Sequence, residues 1–269
     1  SGESSSRSDI SIPDVQKRLL DALLATGKPV VLLLFNGRAM TIQEEAAKVP
    51  AILDVWFGGT ETAYAVTDVL FGDVNPSGKL SCSFPKNVGQ IPIYYAHKNT
   101  GRPLADNGWF TKFRSNYLDV DNDPLYPFGY GLHYGTVRYT NASVDKMRCS
   151  VRDAVKVSVD VTNESTYPVY ESVQAYIRHE DAADYEPGYQ LKGIETITLK
   201  PGETKHVELT LKVRDFAIIT EKGDCVVRPG SYRIALDGQQ PDTRSEELMG
   251  QCVQTLEIQR VGAETPVEY

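Results

Sequence analysis

The sequence predicts an α/β portion followed by an all-β portion. Between residues 12 and 72, apolar segments alternate between helical spacing and continuous strand-like runs. Beyond about residue 140, apolar residues recur at every second position instead. The chain has 269 residues, a length that suits one large or two small domains. We therefore predict part of an α/β sandwich domain with an aromatic-rich tail over residues 1–139, and a β-sandwich domain over residues 140–269.

The α/β prediction depends on two helices and two strands. A helix is predicted after Pro13, because proline fits the first helical turn and apolar residues follow at helical spacing until Gly27. Residues 30–35 form an apolar run without polar alternation, which is typical of a strand covered on both faces of a parallel sheet. Residues 51–57 predict a second strand, and Thr60 is expected to cap a second helix.

Parallel strands with apolar faces on both sides occur almost only where helices shield both faces of the sheet. Residues 12–72 supply only about half of such a unit. We therefore expect polypeptide N-terminal to residue 1 to complete the sheet.

Residues 72–135 are rich in turns and in aromatic side chains. A wrapped tail that fills a surface is the favoured interpretation, and the wall of a sugar site is the alternative. The aromatic residues of this segment are Phe84, Tyr94, Tyr95, Trp109, Phe110, Phe113, Tyr117, Tyr126, Phe128, Tyr130 and Tyr134.

The last 130 residues or so predict about seven short strands, which fits an immunoglobulin-like or fibronectin type III-like sandwich. Turn signals at residues 200–203 and 228–230 separate these strands. The alternating apolar residues are Val155, Val157, Val159 and Val161; Val173, Ala175 and Ile177; Val207, Leu209, Leu211 and Val213; Tyr232, Ile234 and Leu236; and a final set between Cys252 and Val261.

Charge and composition exclude several functions. With 36 acidic and 28 basic residues the net charge is −8, which argues against a general binder of nucleic acid or of anionic membranes. No run approaches the ~18 apolar residues of a membrane span. The first residues do not resemble a signal peptide, so a periplasmic, secreted or cytoplasmic location stays open.

Motifs for cofactors and metals are absent from the sequence. It has no Gly-x-Gly-x-x-Gly or Gly-x-x-x-x-Gly-Lys loop for phosphate and no Gly-x-Ser-x-Gly elbow. The four histidines and four cysteines lack ligand spacing, so we expect no metal, no cofactor and either isolated thiols or one disulfide in the last third of the chain. Of the chemistries considered, catalysis by carboxyl groups is the one that remains.

Ordered motifs across nearly the whole chain resemble those of family 3 glycoside hydrolases. The opening SGESSSRSDISIP at residues 1–13 resembles the acidic loop of that family. The further motifs are TGKPVV at 26–31, NGR at 36–38, WFGGTE at 56–61, FGDVNPSGKL at 71–80, SFP at 83–85, NTGRP at 99–103, LYPFGYGL at 125–132, QLKG at 190–193 and LKPGET at 199–204.

The resemblance implies the C-terminal part of a bacterial retaining β-glycosidase of the β-glucosidase type. Members of this type have an N-terminal (β/α)₈ barrel, an α/β sandwich and a fibronectin-like domain, and the barrel with its Asp nucleophile has no counterpart in this sequence. Retaining enzymes need two carboxyl groups ~5–5.5 Å apart. By the resemblance Glu3 is the general acid/base, and we expect this chain alone to be inactive.

Four further residues are candidate substrate contacts. Arg7 either orients Glu3 or anchors the loop. Asn99, Arg102 and Tyr117 lie in loops that border an expected leaving-group site, with packing as the alternative role. The stretch 36–38 follows the first predicted strand and is expected to be structural.

The expected substrates are oligosaccharides or aryl β-glycosides, and a homodimer is an open possibility. The sequence does not distinguish glucose from xylose. The rival hypothesis is a noncatalytic carbohydrate-binding or adhesion module built on the fibronectin-like sandwich.

Overall fold

Helices and two parallel strands make up the N-terminal part of the computed structural model, which describes residues 3–98, 101–104, 110–183 and 186–268. Strands β1 and β2 pair in parallel along their full length. The elements of this part are α1 (Asp14–Leu24), β1 (Val31–Leu34), α2 (Gln43–Lys48), β2 (Ala51–Asp54) and α3 (Thr62–Phe71).

The predicted order of elements is confirmed, and three details differ. Both strands are shorter than predicted: β1 ends at Leu34, after which the Asn36 side chain donates to the Arg38 carbonyl, and β2 ends at Asp54. Thr60 does not cap α3. The chain turns at Gly59 (φ +70°), the helix begins one residue later than predicted, and Glu61 is its N-cap residue. The short helix α2 was not predicted.

One apolar side of this small sheet and its helices faces outward. Leu19 of α1 is 61% exposed and Phe71 of α3 is 81% exposed. No residue of α3, all of which the structure describes, is buried. This agrees with the expectation that two strands and their helices do not cover themselves.

The loop-rich segment packs with its aromatic residues against the sheet. Phe84 is buried with Ile12, Leu34 and Ile42, and its backbone pairs with Tyr126. The Tyr126 ring stacks on Tyr130 at 5.4 Å between centroids. Packing is therefore the role of Phe84, Tyr126 and Tyr130. The exposed aromatic residues of the segment are Tyr94, Phe110, Phe113, Tyr117 and Tyr134, and Trp109 lies outside the described residues.

The remaining chain forms a two-sheet sandwich, as predicted. One sheet has the strand order β4-β12-β11-β6-β7 and the facing sheet the order β3-β5-β8, while β13-β10-β9 form a small third sheet. The elements are β3 (Val137–Val144), β4 (Arg148–Ser150), β5 (Val155–Asn163), β6 (Val169–His179), β7 (Gln190–Leu199), β8 (Thr204–Leu211), β9 (Ile218–Ile219), β10 (Cys225–Val227), β11 (Gly230–Asp237), α4 (Thr243–Met249), β12 (Gln254–Val261) and β13 (Thr265–Pro266).

The alternating valines of β5 are buried in the core between the two sheets. Val213 does not continue β8 but begins a 3₁₀ turn. The first sandwich strand starts at Val137, so we place the junction between the two proposed domains just before it rather than at residue 140.

A buried polar cluster joins the loop-rich segment to the sandwich. Glu171 on β6 is 1% exposed, and its carboxylate lies 3.4 Å from Lys79 Nζ and 3.1 Å from His133 Nε2. The Tyr139 hydroxyl donates to it at 3.1 Å. Burial alone would raise the pKa of Glu171, but the hydrogen bond from His133 and the charge of Lys79 bring it below its ordinary value.

Asp237 at the end of β11 lines the same cavity of about 310 Å³. Burial raises the pKa of Asp237 to about 7, and the Glu171 charge adds to the rise, while the Gly238 backbone N–H opposes it. The folded chain therefore binds a proton here over a range in which the unfolded chain does not.

We predict that the stabilising effect of this proton is fully present below about pH 4 and is lost between about pH 4 and pH 7, because the folded pKa of Asp237 lies above its unfolded value. Asp237→Asn cannot ionise, so its Tm should fall less over this range than that of the parent chain. Thermal unfolding at pH 4, 5, 6 and 7 measures this, with the exposed Asp119→Asn as control. Parallel curves for parent and D237N would refute the prediction.

We also predict that the 269-residue chain binds an apolar dye at the face of α1. The double variant Leu19→Gln with Leu23→Gln should lower dye fluorescence, because both side chains are exposed. Met147→Gln, which changes a single exposed apolar residue on the sandwich, is the control and should leave fluorescence nearly unchanged. A monomeric parent that melts cooperatively and binds no dye would contradict the prediction.

Candidate active site

The acidic loop that precedes α1 is firmly attached at its C-terminal end. Ile10 and Ile12 are buried, and the backbone N–H of Thr41 donates to the Ile10 carbonyl at 3.1 Å. Ser11 forms a parallel bridge with Thr41. Glu3 lies at the other end of the loop, in an exposed turn. The loop thus carries a solvent-accessible carboxyl group at one end and is fixed to the rest of the fold at the other.

Arg38 attaches the middle of the loop to the sheet. Its guanidinium donates to the main-chain carbonyl of Arg7. Asn36, which is buried, donates in turn to the Arg38 carbonyl at 3.0 Å. Gly37 lies between them under the exposed Phe57 ring, which a Cβ at Gly37 would approach to 2.7 Å. These contacts agree with the structural role expected for residues 36–38.

The Arg7 side chain is exposed and lies 3.9 Å from the Asp9 carboxylate. Within the described part of the chain, no hydrogen bond or ion pair joins Arg7 to Glu3. The contacts of Arg7 therefore support the anchoring role over direct orientation of Glu3.

A cavity of about 690 Å³ opens at the carboxyl ends of β1 and β2. Ile10 of the acidic loop, Arg38, Trp56 and Tyr94 contribute to its wall. In open parallel sheets, ligands bind beyond the carboxyl ends of the strands, and this cavity lies there. It places Ile10, at the anchored end of the acidic loop, beside Tyr94.

Arg102 and Tyr117 lie on two neighbouring segments. The backbone N–H of Ser115 donates to the Arg102 carbonyl at 2.8 Å, and Pro103 forms a parallel bridge with Ser115. Both Arg102 and Tyr117 are exposed. These two candidates thus lie close together in the fold. Within the described residues, neither forms a hydrogen bond with Glu3. Asn99 lies outside the described residues.

Asp54 is a carboxyl group near the cavity that the sequence analysis overlooked. It ends β2, and burial raises its pKa to about 6, although polar groups of Trp56 and Asn36 oppose the rise. The thiol pKa of Cys82 is also raised, chiefly by burial and further by the Asp54 charge. The sequence did contain a signal for Asp54, because it is an acidic residue within an otherwise apolar run of strand residues.

The histidines and cysteines form no ligand cluster in the described ranges of the chain. His133, His179 and His206 each pair with a carboxylate: Glu171, Glu186 and Asp160. All four cysteines are free thiols, which matches the first of the two alternatives predicted. No described group of three or more His, Cys, Asp or Glu side chains is arranged to hold a metal ion, and no described helix is long and apolar enough to span a membrane.

Comparison with known proteins identifies both parts of the chain. The profile of the glycosyl hydrolase family 3 C-terminal domain matches residues 1–134, and that of the fibronectin type III-like domain matches residues 171–240. The β-glucosidase from Listeria innocua, solved in complex with glucose, superposes with a TM-score of 0.89 at 35% identity, over 97% of this chain and 35% of that one.

Curated relatives agree with this assignment. The periplasmic β-glucosidase of Salmonella typhimurium is 43% identical over 92% of this chain and 32% of its own length. A β-xylosidase of Formosa agariphila is 40% identical over 87% of this chain and 31% of its own length. This chain thus spans about a third of the length of these relatives. It belongs to glycosyl hydrolase family 3, and it carries the C-terminal domain of that family followed by a fibronectin type III-like domain.

Proposed function

We propose that this chain supplies the general acid/base to a retaining β-glycosidase. The observation that carries the proposal is the position of Glu3: an exposed carboxyl group on a loop whose other end is anchored beside the cavity at the carboxyl ends of β1 and β2. Family membership supports it, because the relatives are glycosidases.

The chemistry requires a second carboxyl group from outside this sequence. In a retaining reaction one carboxylate attacks the anomeric carbon, and a carboxylic acid ~5–5.5 Å away protonates the leaving oxygen. We assign the second role to Glu3, which afterwards removes a proton from the attacking water. The nucleophile is an Asp on an N-terminal barrel, so residues 1–269 alone do not turn over substrate.

The proposed substrate is a terminal, non-reducing β-D-glycoside, with glucose as the preferred sugar. Glucose is favoured because the curated relative with 43% identity is a β-glucosidase and the Listeria innocua structure holds glucose. The β-xylosidase among the relatives makes xylose the competing sugar.

Arg102 and Tyr117 are proposed to contact the leaving-group side of the substrate. Both are exposed, and their segments are held together by the Ser115 contacts to Arg102 and Pro103. A guanidinium and an aromatic face are suited to hydrogen bonding and stacking on a sugar. Asn99 is retained as a candidate of the same loop.

Glu3→Gln in the full-length protein tests the acid/base assignment. Hydrolysis of a disaccharide should fall by a factor of about 10² to 10⁴, because its poor leaving group needs a proton in the transition state. Hydrolysis of a nitrophenyl glycoside should fall much less at the glycosylation step, since that leaving group departs unprotonated. Rates on both substrates measure the difference.

Glu44→Gln is the matched control, because Glu44 is an exposed glutamate on α2 rather than on the acidic loop. It should leave both rates unchanged. An equal loss on both substrates, or no loss, for Glu3→Gln would remove Glu3 from catalysis.

We predict that the exposed faces of the sandwich take no part in catalysis. Lys156 and Glu208 form a surface ion pair at 2.8 Å, with both side chains more than half exposed. Lys156→Ala and Glu208→Ala should each change the free energy of unfolding by no more than about 0.5 kcal/mol and leave turnover unaltered. Denaturant unfolding and one rate assay measure this. Selective loss of binding to a long or insoluble glycan would instead identify a carbohydrate-binding module.

A further inference from the structure

One asparagine side chain closes the turn formed by residues 111–116. Asn116 Oδ1 accepts from the Thr111 backbone N–H at 2.8 Å, and Asn116 Nδ2 donates to the Arg114 carbonyl at 2.9 Å. The Arg114 backbone N–H also donates to the Thr111 carbonyl at 3.1 Å. An asparagine that bonds to nearby backbone groups in this way stabilises a turn outside any helix or sheet. Local contacts therefore define the backbone of the 111–116 turn.

This turn presents an aromatic ring to solvent at an unfavourable backbone angle. Phe113 has φ +67°, a left-handed conformation that bulky residues rarely adopt. Burial does not compensate for this strain, because Phe113 is 73% exposed. Lys112 Nζ lies 5.0 Å from the centroid of the Phe113 ring. A strained residue that belongs to no core is a candidate for a functional role.

The 111–116 turn is joined directly to the segment that carries Arg102. The Ser115 backbone N–H donates to the Arg102 carbonyl at 2.8 Å, and Pro103 forms a parallel bridge with Ser115. The Ser115 carbonyl accepts from Asn122 Nδ2 at 2.8 Å. The backbone of Ser115 is thus held on both sides. Arg102 lies beside the turn, and Tyr117 follows it, so both proposed leaving-group contacts adjoin it.

Positive charge is concentrated on these two segments. Residues 101–118 contain three basic residues and one acidic residue, Asp106, which lies outside the described residues. The whole chain, by contrast, has a net charge of −8. Arg102, Lys112 and Arg114 are exposed, and none of them forms an ion pair within the described part of the chain. A single exposed cation is ordinarily only hydrated, whereas three on joined segments create a local positive potential.

The patch formed by Arg102, Lys112, Phe113, Arg114 and Tyr117, which we call the basic aromatic patch, offers two kinds of contact. Its aromatic rings provide apolar faces on which a sugar or phenyl ring stacks. Its guanidinium groups bind a carboxylate through two parallel N–H donors, and the ammonium group adds a charge-assisted hydrogen bond. A ligand that uses both kinds of contact has a ring and a negative charge.

We propose that the basic aromatic patch selects glycosides whose leaving group is anionic: a ring that carries a carboxylate, as in a uronic acid or a carboxylated phenol. The ring stacks on Phe113 and Tyr117, and the carboxylate binds to the three cations. The inference rests on the proposed function, because a leaving group reaches the patch only if the protein is a glycosidase. It adds Lys112, Phe113 and Arg114 to the proposed substrate contacts.

Kinetics of the full-length protein on two matched aryl glycosides test the role of charge. 4-Carboxyphenyl β-D-glucoside carries the anion, and 4-carbamoylphenyl β-D-glucoside is its neutral counterpart of nearly the same shape. The double variant Lys112→Gln with Arg114→Gln should raise KM for the carboxylate substrate by about five- to ten-fold and leave KM for the amide within about two-fold. Each variant is compared with the parent on the same substrate, so differences in leaving-group ability cancel.

Lys222→Gln is the matched control, because Lys222 is an exposed lysine between β9 and β10 that forms no ion pair in the described ranges. It should leave both KM values unchanged. Raising NaCl from about 0.05 M to about 0.5 M should raise KM for the carboxylate substrate alone, since salt screens exposed charges. Equal KM changes on both substrates in the double variant, or no change on either, would overturn the proposal.

Charge reversal gives the test a direction. Lys112→Glu with Arg114→Glu should raise KM for the carboxylate substrate further and lower KM for 4-(aminomethyl)phenyl β-D-glucoside by about three-fold or more. No gain on this cationic substrate would contradict selection by charge. The altered side chains are exposed, so a Tm equal to that of the parent is expected and shows that the fold is intact.

Phe113→Ala tests the aromatic contact separately. It should raise KM for all three glucosides by about three- to five-fold, because the face on which each phenyl ring stacks is removed. Unchanged KM values for Phe113→Ala would remove Phe113 from substrate binding. A parent protein that hydrolyses none of these glucosides would instead reject the proposed function, which separates the two failures.

Discussion

The burial of the Glu171 carboxylate constrains how the two halves of the molecule meet. A carboxylate removed from water is costly unless charged and polar partners replace the lost solvation. Here Lys79 and His133 come from the loop-rich segment and Tyr139 from the first sandwich strand. Neither half can satisfy this charge alone, so the loop-rich segment must lie against the sandwich.

The two halves differ in how completely they bury their own apolar residues. The sandwich encloses its core between two sheets. The α/β part has only two parallel strands, and the outward sides of α1 and α3 stay exposed. The proposed chemistry is divided in the same way, because Glu3 is proposed as only one of the two carboxyl groups that a retaining glycosidase uses. The resemblance assigns these two missing parts to different domains: the cover to the remainder of the α/β sandwich, and the proposed nucleophile to the barrel.

The local sequence pattern predicts an element correctly where one side of that element is buried. It fails where contacts between distant residues determine the structure. The valines of β5 alternate because one face lies in the core. The edge strand β7 was missed because its residues are mostly half-buried or exposed, which erases the alternation. The helix α2 has only six residues, and a contact between buried Glu45 and Lys17 at 3.4 Å, distant in sequence, helps to hold it. Sequence motifs single out Glu3 and Arg102 as candidates. The cavity that brings Ile10 near Tyr94 depends instead on contacts between residues distant in sequence, which local periodicity does not predict.

An acid/base residue on a loop works only if the loop is placed accurately relative to a nucleophile on another domain. An error of about 1 Å in such a placement can cost two orders of magnitude in rate. The acidic loop meets this requirement through main-chain contacts: Arg38 holds the Arg7 carbonyl, and Thr41 holds that of Ile10. The exposed Glu3 side chain takes no part in these anchoring contacts, which suits the proposed acid/base, a carboxyl group that must give a proton in one step and take one in the next.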